Sequence, residues 1–208
     1  MELKALHTGW RRHLRHFRRL RERFAAGQDP KVFCLSCSDS RVSVHEIFDI
    51  NEPGTIFEVK NVGGLFTDDA KAALVYALAH LKPELIILMH HTRCGGYEGV
   101  SNEAEPEIRR HLVDGGGLHA KVRVDGYLSQ RGIKPDHAQL EQLLLEEGCR
   151  IQREAVVNFL MFRYPKLYRE VRDGRVRILA LLYHTVTGKV CHVPERLEGS
   201  EDMVRKEL

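Results

Sequence analysis

Short apolar runs bounded by turn residues alternate along the chain with longer segments of helical periodicity. Runs of about four to eight apolar residues in this setting predict buried strands, particularly where β-branched and aromatic residues are frequent. The predicted strands lie at residues 31–36, 55–60, 84–89, 175–183 and 189–193. The run at 84–89 is the most apolar, so we expect it to be a central strand covered on both faces.

Helical patterns separate these strands. They predict a helix from Asp68 or Asp69 to about residue 81, and two further helices at 137–148 and 151–162. Residues 97–136 carry the weakest pattern and predict loops with short helices. Alternating strands and helices are typical of an α/β fold, here with a mainly parallel sheet of four or five strands flanked by helices. A hairpin through Thr187-Gly188 is expected to join the last two strands.

An amphipathic pattern marks the start of the chain. The apolar residues recur at spacings of four and three, which places them on one side of a helix; they are Trp10, Leu14, Phe17, Leu20 and Phe24. Residues 1–26 are therefore predicted to form a helical arm that ends near Gly27. A single helix cannot bury such a stripe by itself, so the arm must lie on another surface.

Length and composition favour one domain. The chain has 208 residues, of which 43% are hydrophobic and 29% charged, as in soluble globular proteins. We expect a single domain over 1–208 with a polar tail at 195–208. No run approaches the roughly 20 apolar residues of a membrane span. The first residues lack the apolar core of a signal peptide, so a cytoplasmic location is expected and the five cysteines are interpreted as thiols.

The net charge of +3 is small but unevenly distributed. Residues 11–23 hold seven arginines and one glutamate. Such a segment is found in organelle transit peptides, nucleic-acid contacts and membrane-surface helices. A solvated helix face is the simpler interpretation, and nucleic acid is not an expected partner.

Two short segments combine more reactive groups than a folding core requires. Cys37, Asp39 and Arg41 follow the first predicted strand, while His91 and Cys94 follow the third. Gly95-Gly96 lets the second segment bend, so that its two side chains can converge. Two thiolates and one imidazole suit zinc, and three protein ligands leave a fourth position open, as in catalytic zinc sites.

Simpler interpretations were weighed for the same residues. Cys34 and Cys37 have the spacing of a redox pair, but Asp39 and Arg41 have no purpose in redox chemistry. The two charged residues can also form a purely structural ion pair that holds a loop. His91 and Cys94 as ordinary core residues are disfavoured by the adjacent glycines.

Both segments resemble the signatures of the β-class carbonic anhydrases, C-x-D-x-R at residues 37–41 and H-x-x-C-G at residues 91–95. Weaker similarities extend the resemblance over about residues 15–195; they lie at 53–57, 60–64, 174–183 and 187–190. The resemblance implies one zinc ion held by Cys37, His91 and Cys94, and CO₂ and bicarbonate as substrates. It also implies a homodimer or a dimer of dimers, in which the N-terminal helix packs across the partner.

The resemblance further implies that hydroxide on zinc attacks CO₂, with Asp39 and Arg41 as the catalytic pair. Asp39 then either becomes a fourth metal ligand and closes the site, or is held by Arg41 and accepts the hydroxide proton in a hydrogen bond. Some members use a tryptophan and an arginine in a bicarbonate pocket that stabilises the closed form. Cys34 and Lys60 stand at the matching positions, which favours an open site.

Further expectations concern rate and substrate. A site with two thiolates is formally neutral, so activity is expected to rise above neutral pH. The candidate proton relays are His45, His80, His90 and His184, although packing roles are favoured for each. His90 and Arg93 depart from the commonest family pattern. Hydrolysis of COS or CS₂ on the same fold is the enzymatic alternative, and a non-enzymatic zinc-binding CO₂ or bicarbonate sensor is the other.

Overall fold

The computed structural model of the chain describes residues 3–50, 52–98 and 106–194. Within this part, one five-stranded sheet has the order β2-β1-β3-β4-β5. The strands are β1 Val32–Cys37, β2 Ile56–Asn61, β3 Leu85–His91, β4 Arg177–Tyr183 and β5 Val190–His192. The first four are parallel, and β5 pairs antiparallel with β4. The predicted mainly parallel α/β sheet with a terminal hairpin is therefore confirmed.

The central strands bury side chains on both faces. On β1, Phe33 and Leu35 belong to one apolar cluster, whereas Cys34 belongs to another. On β3, alternate residues divide between the same two clusters. This follows from the two-residue repeat of a strand, in which neighbouring side chains point to opposite faces. The expectation that β3 is covered on both sides is confirmed.

Nine α-helices lie in the described ranges. They are α1 Leu3–Phe17, α2 Arg21–Ala25, α3 Val44–Ile47, α4 Asp68–Tyr76, α5 Gly95–Glu98, α6 Pro106–Asp114, α7 Gly117–Arg131, α8 His137–Arg163 and α9 Pro165–Arg172. A 3₁₀ turn at Val62–Gly64 follows β2, and a π turn at Ala77–Leu81 continues α4. No helix in the described ranges has the length and apolar character needed to cross a membrane.

Helix α8 corrects the prediction of two helices at 137–148 and 151–162. It is one continuous helix of 27 residues that passes through Gly148. A glycine inside a helix costs about 1 kcal/mol relative to alanine. The run 145–152 is buried throughout, where α8 packs against β3 and β4. Tertiary packing therefore outweighs the local preference that suggested a break.

The region 97–136 also differs from the prediction of loops with short helices. Helix α7 has 15 residues and packs against α8. Gly116 and Gly132 flank it with positive φ angles of 88° and 63°. Left-handed conformations of this kind favour glycine, so Gly116 and Gly132 mark the two ends of this helix.

The N-terminal arm is interrupted, which corrects the prediction of one continuous helix. Between α1 and α2, the amide of Arg19 bonds to the carbonyl of His16 and that of Leu20 to Phe17, each three residues back. The tighter turn lets the rings of Phe17 and Phe24 approach to 5.5 Å between centroids. Met1, Glu2 and the predicted tail at 195–208 lie outside the described residues.

Removing part of a core side chain tests the packing of α8 on the sheet. Val156 on α8 is fully buried, whereas Val122 on α7 is 63% exposed. Val156→Ala is expected to lower the free energy of unfolding by about 2 kcal/mol, because it deletes buried carbon and leaves a cavity. Val122→Ala makes the same chemical change at the surface and is expected to alter stability by less than about 0.5 kcal/mol. Urea unfolding measures both, and equal effects would contradict this placement of α8.

Candidate metal centre

Three predicted ligands meet at the carboxyl ends of two paired strands. Cys37 is the last residue of β1, His91 is the last residue of β3, and Cys94 directly precedes α5. Their ligand atoms all lie within 4.8 Å of one another, and the two sulfur atoms are 3.9 Å apart. All three residues are buried. The fold thus brings together residues 57 positions apart in the sequence.

The imidazole of His91 is oriented by its own loop. Nδ1 lies 3.0 Å from the carbonyl oxygen of Thr92, which can only accept a hydrogen bond, so Nδ1 carries the proton. Nε2 is buried and has no hydrogen-bond partner in the described structure. Thr185 supports this arrangement, because its hydroxyl donates to the same carbonyl over 3.2 Å. A neutral imidazole with an unused lone pair is the form that binds a metal.

The thiol of Cys37 is stabilised as a thiolate. Its sulfur faces Cys94 and receives the backbone N–H of Gly63 over 3.3 Å. The hydrogen bond with Cys94, helped by backbone N–H donors, lowers the pKa of Cys37 to about 4, although burial opposes the shift. A thiolate is the form of cysteine that ligates metals. The hydrogen bond from Gly63 was not predicted from the sequence, because nothing in the pair Gly63-Gly64 indicates a role beside Cys37.

Gly64 is required by the close approach of two segments. Its φ is 63°, and a Cβ atom there would lie 3.0 Å from the backbone nitrogen of Cys37. A side chain would therefore displace the segment that carries the first thiolate. Gly64 therefore allows the turn after β2 to pack against the end of β1, where Cys37 lies.

The donor set fits a metal ion. Two thiol groups and an imidazole nitrogen converge in a buried space, and the nitrogen has an unused lone pair. Without a cation, this arrangement would bury a thiolate beside an unsatisfied polar atom, which is energetically unfavourable. Cys37, His91 and Cys94 are accordingly the residues that can hold a metal.

Asp39 and Arg41 form a bidentate pair beside this cluster. Nε of Arg41 donates to Oδ1 of Asp39 over 2.9 Å, and Nη2 donates to Oδ2 over 2.6 Å. The backbone N–H of Arg41 adds a third bond to Oδ1. The Arg41 guanidinium holds the pKa of Asp39 well below its usual range. Oδ2 lies 3.8 Å from Nε2 of His91, so an ionised carboxylate stands next to the ligand atoms.

A second anchor for Arg41 was not predicted. Nη2 also donates to the carbonyl oxygen of Arg93 over 2.9 Å, and the backbone N–H of Arg93 donates to the carboxylate of Glu141 on α8. Arg93 has a φ of 57°, an uncommon conformation for a residue with a side chain. Only the tertiary structure reveals Glu141, because α8 begins more than 40 residues after the segment 91–95 that follows β3. This segment is called the metal loop below.

Cys34 and Lys60 do not join the cluster. Cys34 packs with Val42, Ile87 and Met89, and burial raises the pKa of its thiol. Cys34 and Cys37 are three positions apart on the same strand, so their side chains point to opposite faces of the sheet. The interpretation of the two cysteines as a redox pair is therefore wrong. The ammonium of Lys60 donates to the carbonyl of Val42, directly after Arg41.

The four candidate relay histidines have other contacts. Burial lowers the pKa of His90 to about 4, so its imidazole is neutral at physiological pH. Nδ1 of His45 contacts the carbonyl of Ile50, and the ring of His80 packs on Tyr76. The backbone N–H of His184 donates to Lys189 in the last hairpin. These contacts give structural roles to the four histidines and supply no evidence for a relay.

A family model described as carbonic anhydrase matches residues 32–190. A protein of Synechococcus elongatus named carbonic anhydrase is 27% identical over 91% of this chain and 77% of that protein. The solved β-carbonic anhydrase CcaA superposes with a TM-score of 0.75 at 23% identity, covering 91% of this chain and 85% of the other. Tetrameric β-carbonic anhydrases from Sordaria macrospora give a TM-score of 0.68 at 20% identity, covering 91% and 92%.

The solved structures show that the fold is shared, while the family match rests on the sequence itself. That match begins at β1, ends at β5, and includes all five residues of the two predicted segments. The chain therefore belongs to the carbonic anhydrase family, in its β class.

Proposed function

We propose that this protein binds one zinc ion through Cys37, His91 and Cys94 and catalyses the reversible hydration of CO₂ to bicarbonate and a proton. Membership of the carbonic anhydrase family supports the reaction. The single observation that carries the proposal is the buried convergence of two sulfur atoms and one imidazole nitrogen within 4.8 Å.

The donor types support zinc over other common ions. Thiolate and imidazole ligands suit zinc, whereas magnesium and calcium prefer oxygen ligands. Three protein ligands leave room for one more, as in catalytic zinc sites. When bound, zinc supplies Lewis-acid activation of a water molecule.

Asp39 is proposed to orient the attacking oxygen. The bidentate bonds from Arg41 keep Asp39 ionised and acceptor-only. A carboxylate in this state accepts a hydrogen bond from the nucleophile and directs an oxygen lone pair toward the carbon of CO₂. Because Arg41 occupies both oxygens of Asp39, the arrangement supports the open form of the site, with Asp39 outside the set of ligands.

The proposal extends to assembly and location. The apolar stripe of α1 is largely exposed on one chain, with Trp10 54% and Leu14 42% accessible. We infer a homodimer or a dimer of dimers in which this stripe is covered. A cytoplasmic location is also proposed, because a reducing compartment keeps ligand thiols available, and all five cysteines are thiols outside any disulfide.

Removing one ligand should remove the metal. Cys94→Ser is expected to lower the zinc content from about one ion per chain to a small fraction, because a hydroxyl is a much poorer zinc ligand than a thiolate. Elemental analysis after gel filtration measures the ratio. Cys34→Ala is the matched control, since it removes a buried cysteine outside the cluster and should leave zinc bound. Full zinc content in Cys94→Ser would refute the assigned ligand set.

Stopped-flow CO₂ hydration tests the reaction itself. The site is formally neutral, so turnover should rise between about pH 6.5 and pH 9, above the pKa of about 7 of water on a three-histidine zinc. Asp39 stays ionised over this whole range, because Arg41 lowers its pKa, and its titration does not contribute to the rise. A plateau already reached at pH 6.5 would contradict the argument from site charge.

Asp39→Ala is expected to lower kcat at least about a hundredfold while zinc remains bound, since the acceptor for the nucleophile's proton is lost. Asp68→Ala is the control, because Asp68 is an exposed carboxylate on α4 that pairs with Lys71. Background hydration by fully zinc-loaded wild-type protein would defeat the CO₂ proposal and make COS and CS₂ the next substrates to assay.

A single charge on the apolar stripe tests the assembly. Leu14→Asp should reduce the mass measured by light scattering toward that of one chain, because a carboxylate would be buried without a partner. Thr8→Asp adds the same charge on the exposed polar side of α1 and should leave the mass unchanged. An unchanged mass for Leu14→Asp would show that the stripe is not covered by a second copy.

A further inference from the structure

We propose that Glu141 is a positioning residue for Asp39, acting through the backbone of Arg93 and the guanidinium of Arg41. The inference rests on the proposed function, because it concerns the same site. It starts from a continuous set of contacts that runs from helix α8 to the carboxylate beside the metal ligands. Glu141 contacts the backbone of Arg93, beside the ligand Cys94, so its role is positioning and not catalytic.

Glu141 has a fixed position near the beginning of α8. Asp136 caps α8 by accepting the backbone N–H of Gln139 over 2.8 Å, and the side chain of Gln139 accepts the N–H of Asp136 over 3.0 Å. This reciprocal capping box defines where the helix begins. One turn beyond Glu141, Leu145 is fully buried in the apolar cluster that includes Cys37 and Cys94. The carboxylate of Glu141 is therefore presented from a well-anchored helical turn.

Arg93 has an uncommon backbone conformation. Its φ of 57° lies in the left-handed region, which is sterically unfavourable for a residue with a Cβ atom. The surrounding structure must therefore stabilise it. The bond from the Arg93 N–H to Glu141 does so on one side, and the bond from Arg41 to the Arg93 carbonyl does so on the other.

The orientation of Arg41 depends on two acceptors. Its Nη2 donates both to Oδ2 of Asp39 over 2.6 Å and to the carbonyl of Arg93 over 2.9 Å. A bidentate guanidinium–carboxylate pair can rotate as a rigid unit, because its own two bonds fix only the partners relative to each other. The Arg93 carbonyl supplies the external reference that fixes the pair relative to the metal loop.

Loss of the Glu141 carboxylate thus releases a constraint without touching the pair itself. Arg93 can then leave its left-handed conformation, and its carbonyl turns away from Arg41. The Asp39–Arg41 pair would remain intact, but the position of Oδ2 relative to Nε2 of His91, now 3.8 Å, would no longer be defined. Small displacements of an orienting group lower the rate strongly, even when all groups are present.

The requirement is for a hydrogen-bond acceptor, not for a charge. Glu141→Gln keeps an acceptor oxygen on the same side chain, whereas Glu141→Ala removes it. Glu154 is a matched control on the same helix, since it is a glutamate held by Arg123 and lies away from the metal loop. The three variants separate the loss of the acceptor from the loss of a negative charge and from general changes in α8.

Backbone amide exchange gives a readout that does not depend on activity. The backbone N–H of Arg41 donates to Oδ1 of Asp39 over 2.9 Å, so its exchange rate reports whether the carboxylate keeps its position relative to the backbone. In Glu141→Ala we expect this amide to exchange about tenfold faster, with Glu141→Gln and Glu154→Ala close to wild type. Amides in the buried run 145–152 of α8 should be unchanged in all three variants. An unchanged Arg41 amide in Glu141→Ala would overturn the proposal.

Kinetics of the zinc-loaded variants complete the test. Glu141→Ala should lower kcat for CO₂ hydration about tenfold with little change in KM and in zinc content, and Glu141→Gln should recover most of that loss. Equal losses in both variants would point to charge and refute positioning through an acceptor. If wild-type protein shows no hydration, the proposed function fails, while amide exchange still decides whether Glu141 holds Arg41.

Discussion

The parallel pairing of β1 with β3 is the constraint on which the site depends. The register places Ser36 opposite Met89, so the two strands reach the same edge of the sheet, and each ends in a ligand. Open α/β sheets place their sites at this edge because the chain leaves every parallel strand there. Cys37 and His91 lie at the ends of the strands themselves, and the loops that follow β1 and β3 carry Asp39, Arg41 and Cys94.

Close packing around these loops is as important as the ligands. The turn after β2 approaches Cys37 so closely that only glycine fits at position 64, and the neighbouring Gly63 gives its N–H to the sulfur. Thr185 from the last hairpin helps to fix the carbonyl that orients His91. Elements from distant parts of the sequence thus donate to the sulfur of Cys37 and fix the orientation of His91, as expected for partners of metal ligands.

Electrostatic organisation of the site relies on paired and shared hydrogen bonds. Oδ2 of Asp39 lies 3.8 Å from the ligand nitrogen of His91, and Arg41 donates to both carboxylate oxygens of Asp39. Arg41 in turn contacts the metal loop through Arg93. A planar, permanently charged guanidinium suits this bridging role, since one lysine ammonium cannot hold two fixed acceptor directions in the same plane.

The sequence alone was sufficient for the sheet, for the family and for the three residues that cluster at its edge, Cys37, His91 and Cys94. Apolar runs located the central strands β1 and β3, because burial on both faces requires continuous hydrophobic segments, whereas β-branched and aromatic residues located β2. The residue types and spacing of Cys37, His91 and Cys94 indicated a metal site, since few other uses need two thiols and an imidazole beside a glycine pair.

Tertiary structure decided what local patterns could not. Gly148 suggested a helix break, yet packing of α8 on the sheet carries the helix through it. The weak pattern over residues 97–136 suggested loops, although a helix of 15 residues forms there between Gly116 and Gly132. Glu141 and Gly63 carry no local signal, because their roles depend on which distant backbone groups lie next to them. Local composition determines which elements form, whereas long-range packing determines which donors and acceptors meet.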